Sequence, residues 1–212
     1  MDLNNRKYIS YDDAQNQKYF EHNYLGTDSI DKTKRTSIKN TIGIALQEGF
    51  NKWAKAGLTA FLSYEYRNFA LTDTTNIPGQ RIINNYKESS LSIGGELSKK
   101  QGKLLHYNIL GELAIAGEDA GQFSVEGRGD LNLRLFGDTV RLDVNAFIKN
   151  QNPVFYFRHF QSKHYWWDNN DLSKIMRTRL EGKLSLNRWG TQLRAGVENI
   201  KNYTYLPMPA YR

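Results

Sequence analysis

Charged side chains in several stretches of this chain fall in a single phase of a two-residue alternation. Basic residues at Lys39, Arg67, Arg128, Arg134, Arg141, Lys149, Arg177, Arg179, Lys183 and Arg194 stand in phase with acidic residues at Glu65, Glu96, Glu112, Glu126, Asp130, Asp143, Glu181 and Glu198. Such a set steers ions rather than making or breaking bonds. A charge facing a water-filled lumen biases which solutes pass, whereas the same charge facing lipid costs several kcal/mol. The competing reading is cross-strand ion pairing within a wall that is merely solvated.

A second concentration of chemistry lies in the segment Asn152 to Asp171. It holds Phe155, Phe157, His159, Phe160, Trp166 and Trp167, together with Tyr156, His164 and Tyr165. These rings could fold into a lumen as a constriction or stack on sugar rings. The simpler expectation is a strand extension whose aromatics pack on neighbouring loops. His159, His164 and Asp168 match no strong metal-ligand spacing and read as solvated loop residues. Arg128-Gly129-Asp130 spells an adhesion tripeptide but falls within a strand. Asn202-Tyr203-Thr204 fits a glycosylation sequon, which would carry little meaning if the chain were bacterial. There is no GxSxG, P-loop or dinucleotide fingerprint, so no catalytic residue, cofactor or metal is expected.

Composition narrows the classes further. The chain has 212 residues, no cysteine, and a formal net charge of 29 − 22 = +7. Disulfides, thiolate metal sites and a thiol nucleophile are therefore excluded. Mean hydropathy is −0.67, and no apolar run approaches the length of a transmembrane helix. The basic residues are interspersed with acidic ones, and no basic stripe points to nucleic acid. Contact with anionic lipid headgroups explains Lys99, Lys100 and Lys103 more simply.

The elements that position the charges follow from period two. Eight stretches alternate: Thr36–Gln47, Ala54–Arg67, Ser89–Ser98, Leu105–Ile115, Phe123–Leu135, Val140–Lys149, Met176–Asn187 and Gln192–Asn199. In the fifth, Phe123, Val125, Leu131, Leu133 and Leu135 share one face, and Glu126, Arg128, Asp130 and Arg134 the other. None of the eight apolar faces carries a charge. Connections alternate between short turns, such as Phe136 to Thr139 and Arg188 to Gly190, and long segments, Asn68 to Glu88 and Asn150 to Ile175. Tight turns at one end and long loops at the other are the pattern of a transmembrane antiparallel up-and-down β-barrel. Glycine and alanine on the apolar faces (Ala56, Ala60, Gly95, Gly111, Gly127, Gly129, Gly182, Ala195) would pack a soluble core poorly. Aromatics fall near strand ends as in interfacial girdles, with Phe50, Trp53 and Trp189 at one end and Tyr64, Tyr66, Phe69 and Tyr86 at the other.

Three segments carry a more particular signature: Asn51-Lys52-Trp53-Ala54-Lys55-Ala56-Gly57-Leu58-Thr59-Ala60; Arg158-His159-Phe160-Gln161-Ser162 followed by Tyr165-Trp166-Trp167-Asp168-Asn169; and Leu184-Ser185-Leu186-Asn187-Arg188-Trp189-Gly190 running on to Gly196-Val197-Glu198-Asn199. They resemble the putative-porin family of outer-membrane β-barrels from Bacteroides-type bacteria. The resemblance spans roughly Thr33 to Tyr205. It implies a bacterial outer-membrane diffusion pore for small hydrophilic solutes, embedded in outer-membrane lipid, with no catalytic residues. Unlike a complete member, the chain has no signal sequence and no final strand ending in an aromatic residue. The expectation is an internal piece of a larger barrel, forming an open sheet whose first and eighth strands do not pair. Residues 1–33 would be the end of a preceding strand (Lys7 to Tyr11) and an extracellular loop, 34–205 the barrel segment, and 206–212 a truncated extracellular loop. The alternatives are the barrel of an energised transporter, a barrel enzyme, or a soluble β protein that binds carbohydrate through its aromatic loop.

Overall fold

The computed structural model describes residues 2–9, 20, 23–25, 30–50, 56–74, 81–135 and 137–205. Trp53, Tyr11 and the 206–212 segment named above lie outside them. Nine strands form one antiparallel sheet: β1 (Asp2–Ile9), β2 (Ile30–Leu46), β3 (Gly57–Thr74), β4 (Arg81–Lys99), β5 (Leu105–Gly117), β6 (Phe123–Leu135), β7 (Asp138–Gln151), β10 (Ile175–Leu186) and β11 (Thr191–Lys201). Between β7 and β10 lie a single helical turn, α1 (Phe155–Arg158), and a small hairpin of β8 (His159–Gln161) and β9 (Trp166–Asp168). The sheet order is β1-β2-β3-β4-β5-β6-β7-β10-β11, so each strand pairs with its neighbour in the sheet sequence. This is an open meander, and β2 does not pair with β11 among the described residues.

Strand alternation holds across the whole sheet because the registers carry each face into the next strand. One row runs Asn108, Arg128, Asn145, Glu181. The next runs His106, Asp130, Asp143, Lys183, Arg194. All the charged positions predicted to share one side do so. The opposite face is apolar and uncovered: Ile42 is 78% exposed, Ile44 76%, Val197 66% and Leu193 58%.

The preceding strand is present as β1, which runs Asp2–Ile9 among the described residues and brings the sheet there to nine strands. The expected long loop is corrected. The segment Asn68 to Glu88 is mostly strand, not loop: β3 continues to Thr74, and β4 begins at Arg81. The reason lies in a change of pattern at Phe69. Below it, the charged face of β3 carries Thr59, Ser63, Glu65 and Arg67, with Phe61 its one apolar member. Above it, the same face carries Phe69 and Leu71, which are 4% and 0% exposed. Those two apolar residues are covered by α1 rather than by water, so period-two polarity is lost while the backbone stays extended. Phe69, Leu71 and Phe155 form the small core there, with Tyr86 and Tyr156 packed against it. It follows that Phe69 and Tyr86, which are register partners, belong to this core and not to an interfacial girdle.

One close approach fixes the β3–β4–β5 packing. The Phe61 ring lies across Gly94, where a Cβ would sit 2.2 Å from Phe61 Cζ and 2.6 Å from the Gly111 carbonyl oxygen. At the end of β5, Gly117 has φ +86, and a Cβ there would meet the Ser89 carbonyl oxygen at 1.9 Å. Only glycine lets the β5–β6 turn close against β4 at this point.

Candidate functional site: the charged face and its folded-in hairpin

The site has two parts on one face. The upper part is the α1–β8–β9 segment, which folds onto the charged face of β2–β4. The segment is a helical turn and hairpin rather than the expected strand extension, and its aromatics pack on residues of the stretches read as neighbouring loops. Phe155 stacks on Phe69 with centroids 3.9 Å apart. His159 stacks on Tyr86 at 5.5 Å, and Phe160 on Trp167 at 4.8 Å. Trp167 Nε1 donates to the Tyr156 carbonyl at 3.0 Å. Phe157 is half-buried, whereas Trp166 remains 53% exposed. His159 does not stand free in water: its Nδ1 lies 2.8 Å from Asp168 Oδ1 across the hairpin. His164 stacks on Phe20 at 3.9 Å. Among the described residues no group of three His, Cys, Asp or Glu side chains is placed to hold a metal.

A buried ion-pair network fastens this segment down. Arg158, at the end of α1, donates from Nη2 to Glu88 Oε1 and from Nη1 to Glu118 Oε1, both at 2.6 Å, and from Nε to the Pro153 carbonyl at 3.2 Å. Arg67 Nη2 lies 3.2 Å from Glu88 Oε2 and 2.6 Å from Asp119 Oδ2. Asp119 also accepts from Ser90 Oγ at 2.7 Å and from Gln122 Nε2 at 2.6 Å. Burial alone pushes the Asp119 carboxyl up, but the hydrogen bonds and charge of Arg67, with the Ser90 and Gln122 donors, hold it below its ordinary value. Burial pushes the Tyr156 phenol up, against the opposing pull of Arg35, the Thr33 hydrogen bond and Arg6. Arg67 alone of this network was expected from the sequence as a face residue. Glu88, Glu118, Asp119 and Arg158 were missed because they lie in segments read as loop. The usable signal was an arginine among the aromatics of Phe155–Phe160, which calls for buried carboxylates once those rings are covered.

The lower part is the open charged wall. Most predicted positions are ion-paired there. Lys39 reaches Glu112 at 3.3 Å over β3 and β4. Glu65 accepts from Ser37 Oγ at 2.7 Å, and Glu96 from Asn108. Lys149 pairs with Glu126 at 2.6 Å, and Arg177 with Glu198. Glu181 binds both Arg179 and Arg194 at 2.5 Å. Asp130 and Asp143 are register partners with like charge, and Arg141 relieves the conflict from 3.8 and 2.8 Å, with His106 Nδ1 2.9 Å from Asp130. Arg134 is exposed near the end of β6. Arg128 and Lys183 are in no ion pair with a described carboxylate. They line a cavity of about 470 Å³ together with Lys99, Lys100, His106, Asp130, Asp143 and Glu181.

The fold and this face define a class: an all-β antiparallel meander with one continuous apolar side and one charged side. The Putative porin family matches residues 1–211, and the chain belongs to that family. No curated protein and no solved structure matches the chain significantly.

Proposed function

We propose that the chain forms part of the wall of an outer-membrane channel through which small hydrophilic solutes diffuse passively. One observation carries this reading. The apolar face is uncovered over the length of the sheet, and the charges lie on the other face. A soluble protein rarely leaves an apolar surface of that extent in water. A lipid bilayer covers it at no polar cost, because strands closed into a barrel satisfy every backbone hydrogen bond. The outward side then meets outer-membrane lipid, and the charged side lines a lumen. In this setting the α1–β8–β9 segment narrows the lumen beside β2–β4, and ion selectivity comes from the charges left uncompensated on the wall. The charged face serves solvation and selection, with no enzymatic role and no part for nucleic acid. No helix among the described residues is long and apolar enough to cross a membrane, so crossing falls to the strands.

The test is conductance across a planar lipid bilayer with the complete barrel, to whose wall this chain contributes, refolded in detergent. Stepwise ohmic openings are expected. A folded, inserted barrel that never opens would overturn the diffusion-channel reading.

A further inference from the structure

We infer that the cavity between Arg128 and Lys183 is a binding subsite for a small, doubly charged oxyanion, so that the channel selects anionic solutes; this rests on the channel reading above. Charge compensation points to it. The cavity is lined by three carboxylates, and each is already engaged. Asp130 is held by His106 and Arg141, Asp143 by Arg141, and Glu181 by Arg179 and Arg194. The facing aspartates therefore offer no seat for a metal cation. The cations of the same cavity are not used up in this way: Arg128 and Lys183 have no ion-pair partner among the described residues, and Lys99 and Lys100 add positive charge at its edge.

The register gives the two cations a fixed relation. Arg128 pairs with Asn145 and Lys183 with Asp143, two positions apart on the intervening β7. Two interstrand steps and two residues along the strand separate their Cα atoms by roughly 12 Å. Long side chains that line one cavity from that separation suit a ligand of several atoms, and Asn145, which lines it as well, adds a further polar group. Arginine presents a planar fork to paired oxygens, and lysine a mobile point charge. A phosphate group or a dicarboxylate meets both requirements, and the two unpaired cations set its charge at about −2.

The experiment uses the complete refolded barrel, to whose wall this chain contributes, in planar bilayers, with inorganic phosphate and succinate as separate probes in a chloride gradient. The expected result is an anion-selective reversal potential and a chloride current reduced by millimolar phosphate, by succinate, or by both. Whichever probe acts identifies the source of the oxyanion. In Arg128→Gln/Lys183→Gln, block weakens by about tenfold per cation removed, and the reversal potential moves toward zero. The charge-keeping pair Arg128→Lys/Lys183→Arg retains most of the block. Open channels on which neither probe acts, or on which both act equally in the glutamine variant, overturn the subsite and leave the channel standing. If the wild-type protein folds and never opens, the channel reading fails. The subsite is then read by calorimetric titration of the same detergent-folded protein with each probe. Heat that is lost in the glutamine variant supports it, and no heat overturns it.

Discussion

Arg158 and Glu88 stand 70 positions apart in the chain and meet through a 2.6 Å hydrogen bond in which both side chains are almost fully buried. One ends the single turn of α1, and the other lies on the charged face of β4. Their contact decides where the aromatic segment goes. Without it, an apolar cluster built on Phe155 could pack against several neighbouring surfaces. With it, Phe155 is held over Phe69 and Tyr86.

Arg158→Ala is expected to release the segment. It removes the bonds to Glu88, Glu118 and the Pro153 carbonyl and leaves Glu88 facing Arg67 alone. Breaking a buried pair from one side costs about 3–5 kcal/mol. The measurement is limited proteolysis, with new cleavage expected between 152 and 171 and a lowered melting temperature. Single-channel conductance rises if the segment narrows the lumen. Arg158→Lys does not restore the arrangement, because one ammonium cannot reproduce three directed N–H donors.

Acidification is expected to loosen the same network only at strongly acid pH. The folded Asp119 carboxyl sits below its ordinary value. A depressed carboxyl contributes stability that is fully present above the unfolded value, about 3.9, and lost as pH falls through the folded value. The exposed Trp166 and half-buried Trp167 report the change, so tryptophan fluorescence should show a transition below about pH 4. Asp119→Asn is expected to lower stability at neutral pH and to flatten that acid transition.

Gly94→Ala is expected to fold poorly. The added Cβ meets the Phe61 ring at 2.2 Å and the Gly111 carbonyl oxygen at 2.6 Å. Overpacking of this kind costs about 1–3 kcal/mol, and the backbone contact cannot be relieved by a rotamer change. Gly182→Ala, which meets nothing within 4 Å, is the matched control. The urea midpoint of refolded protein distinguishes them.

The two faces make opposite predictions for an added charge. Ile42→Arg places a guanidinium on the apolar side, where Ile42 is 78% exposed. It is expected to cost about 2–4 kcal/mol of insertion near the bilayer midplane. Gln192→Arg, on the charged side of β11, is expected to insert into vesicles as wild type does. Equal insertion of both variants would count against the lipid-facing assignment of the apolar side.

The sheet was legible wherever alternation and solvation agreed. Along β6 from Phe123, and on through β10, Glu126, Arg128 and Lys183 reach solvent and declare their side by polarity alone. The upper halves of β3 and β4 were not legible, because Phe69, Leu71 and Tyr86 answer to the residues that cover them rather than to solvent. That cover comes from Phe155 and Tyr156, more than 60 positions away in sequence, and period-two reasoning contains no term for it. The ion pairs were half legible. Alternation put Asp130, Asp143 and Arg141 on one face, but only the register set the two aspartates opposite each other and brought Arg141 between them.

The buried carboxylate of Glu88 also bears on the order of assembly. Glu88 is synthesised long before Arg158, which follows β7 in the chain. Before α1 docks, Glu88 faces Arg67 and stays open to water on its other side. Docking α1 before the β5–β6 turn is in place would bury Arg158 without Glu118 and Arg67 without Asp119, at a penalty that favours undocking. The paired arginines thus couple closure of the aromatic segment to β3, β4 and the β5–β6 turn having found their neighbours.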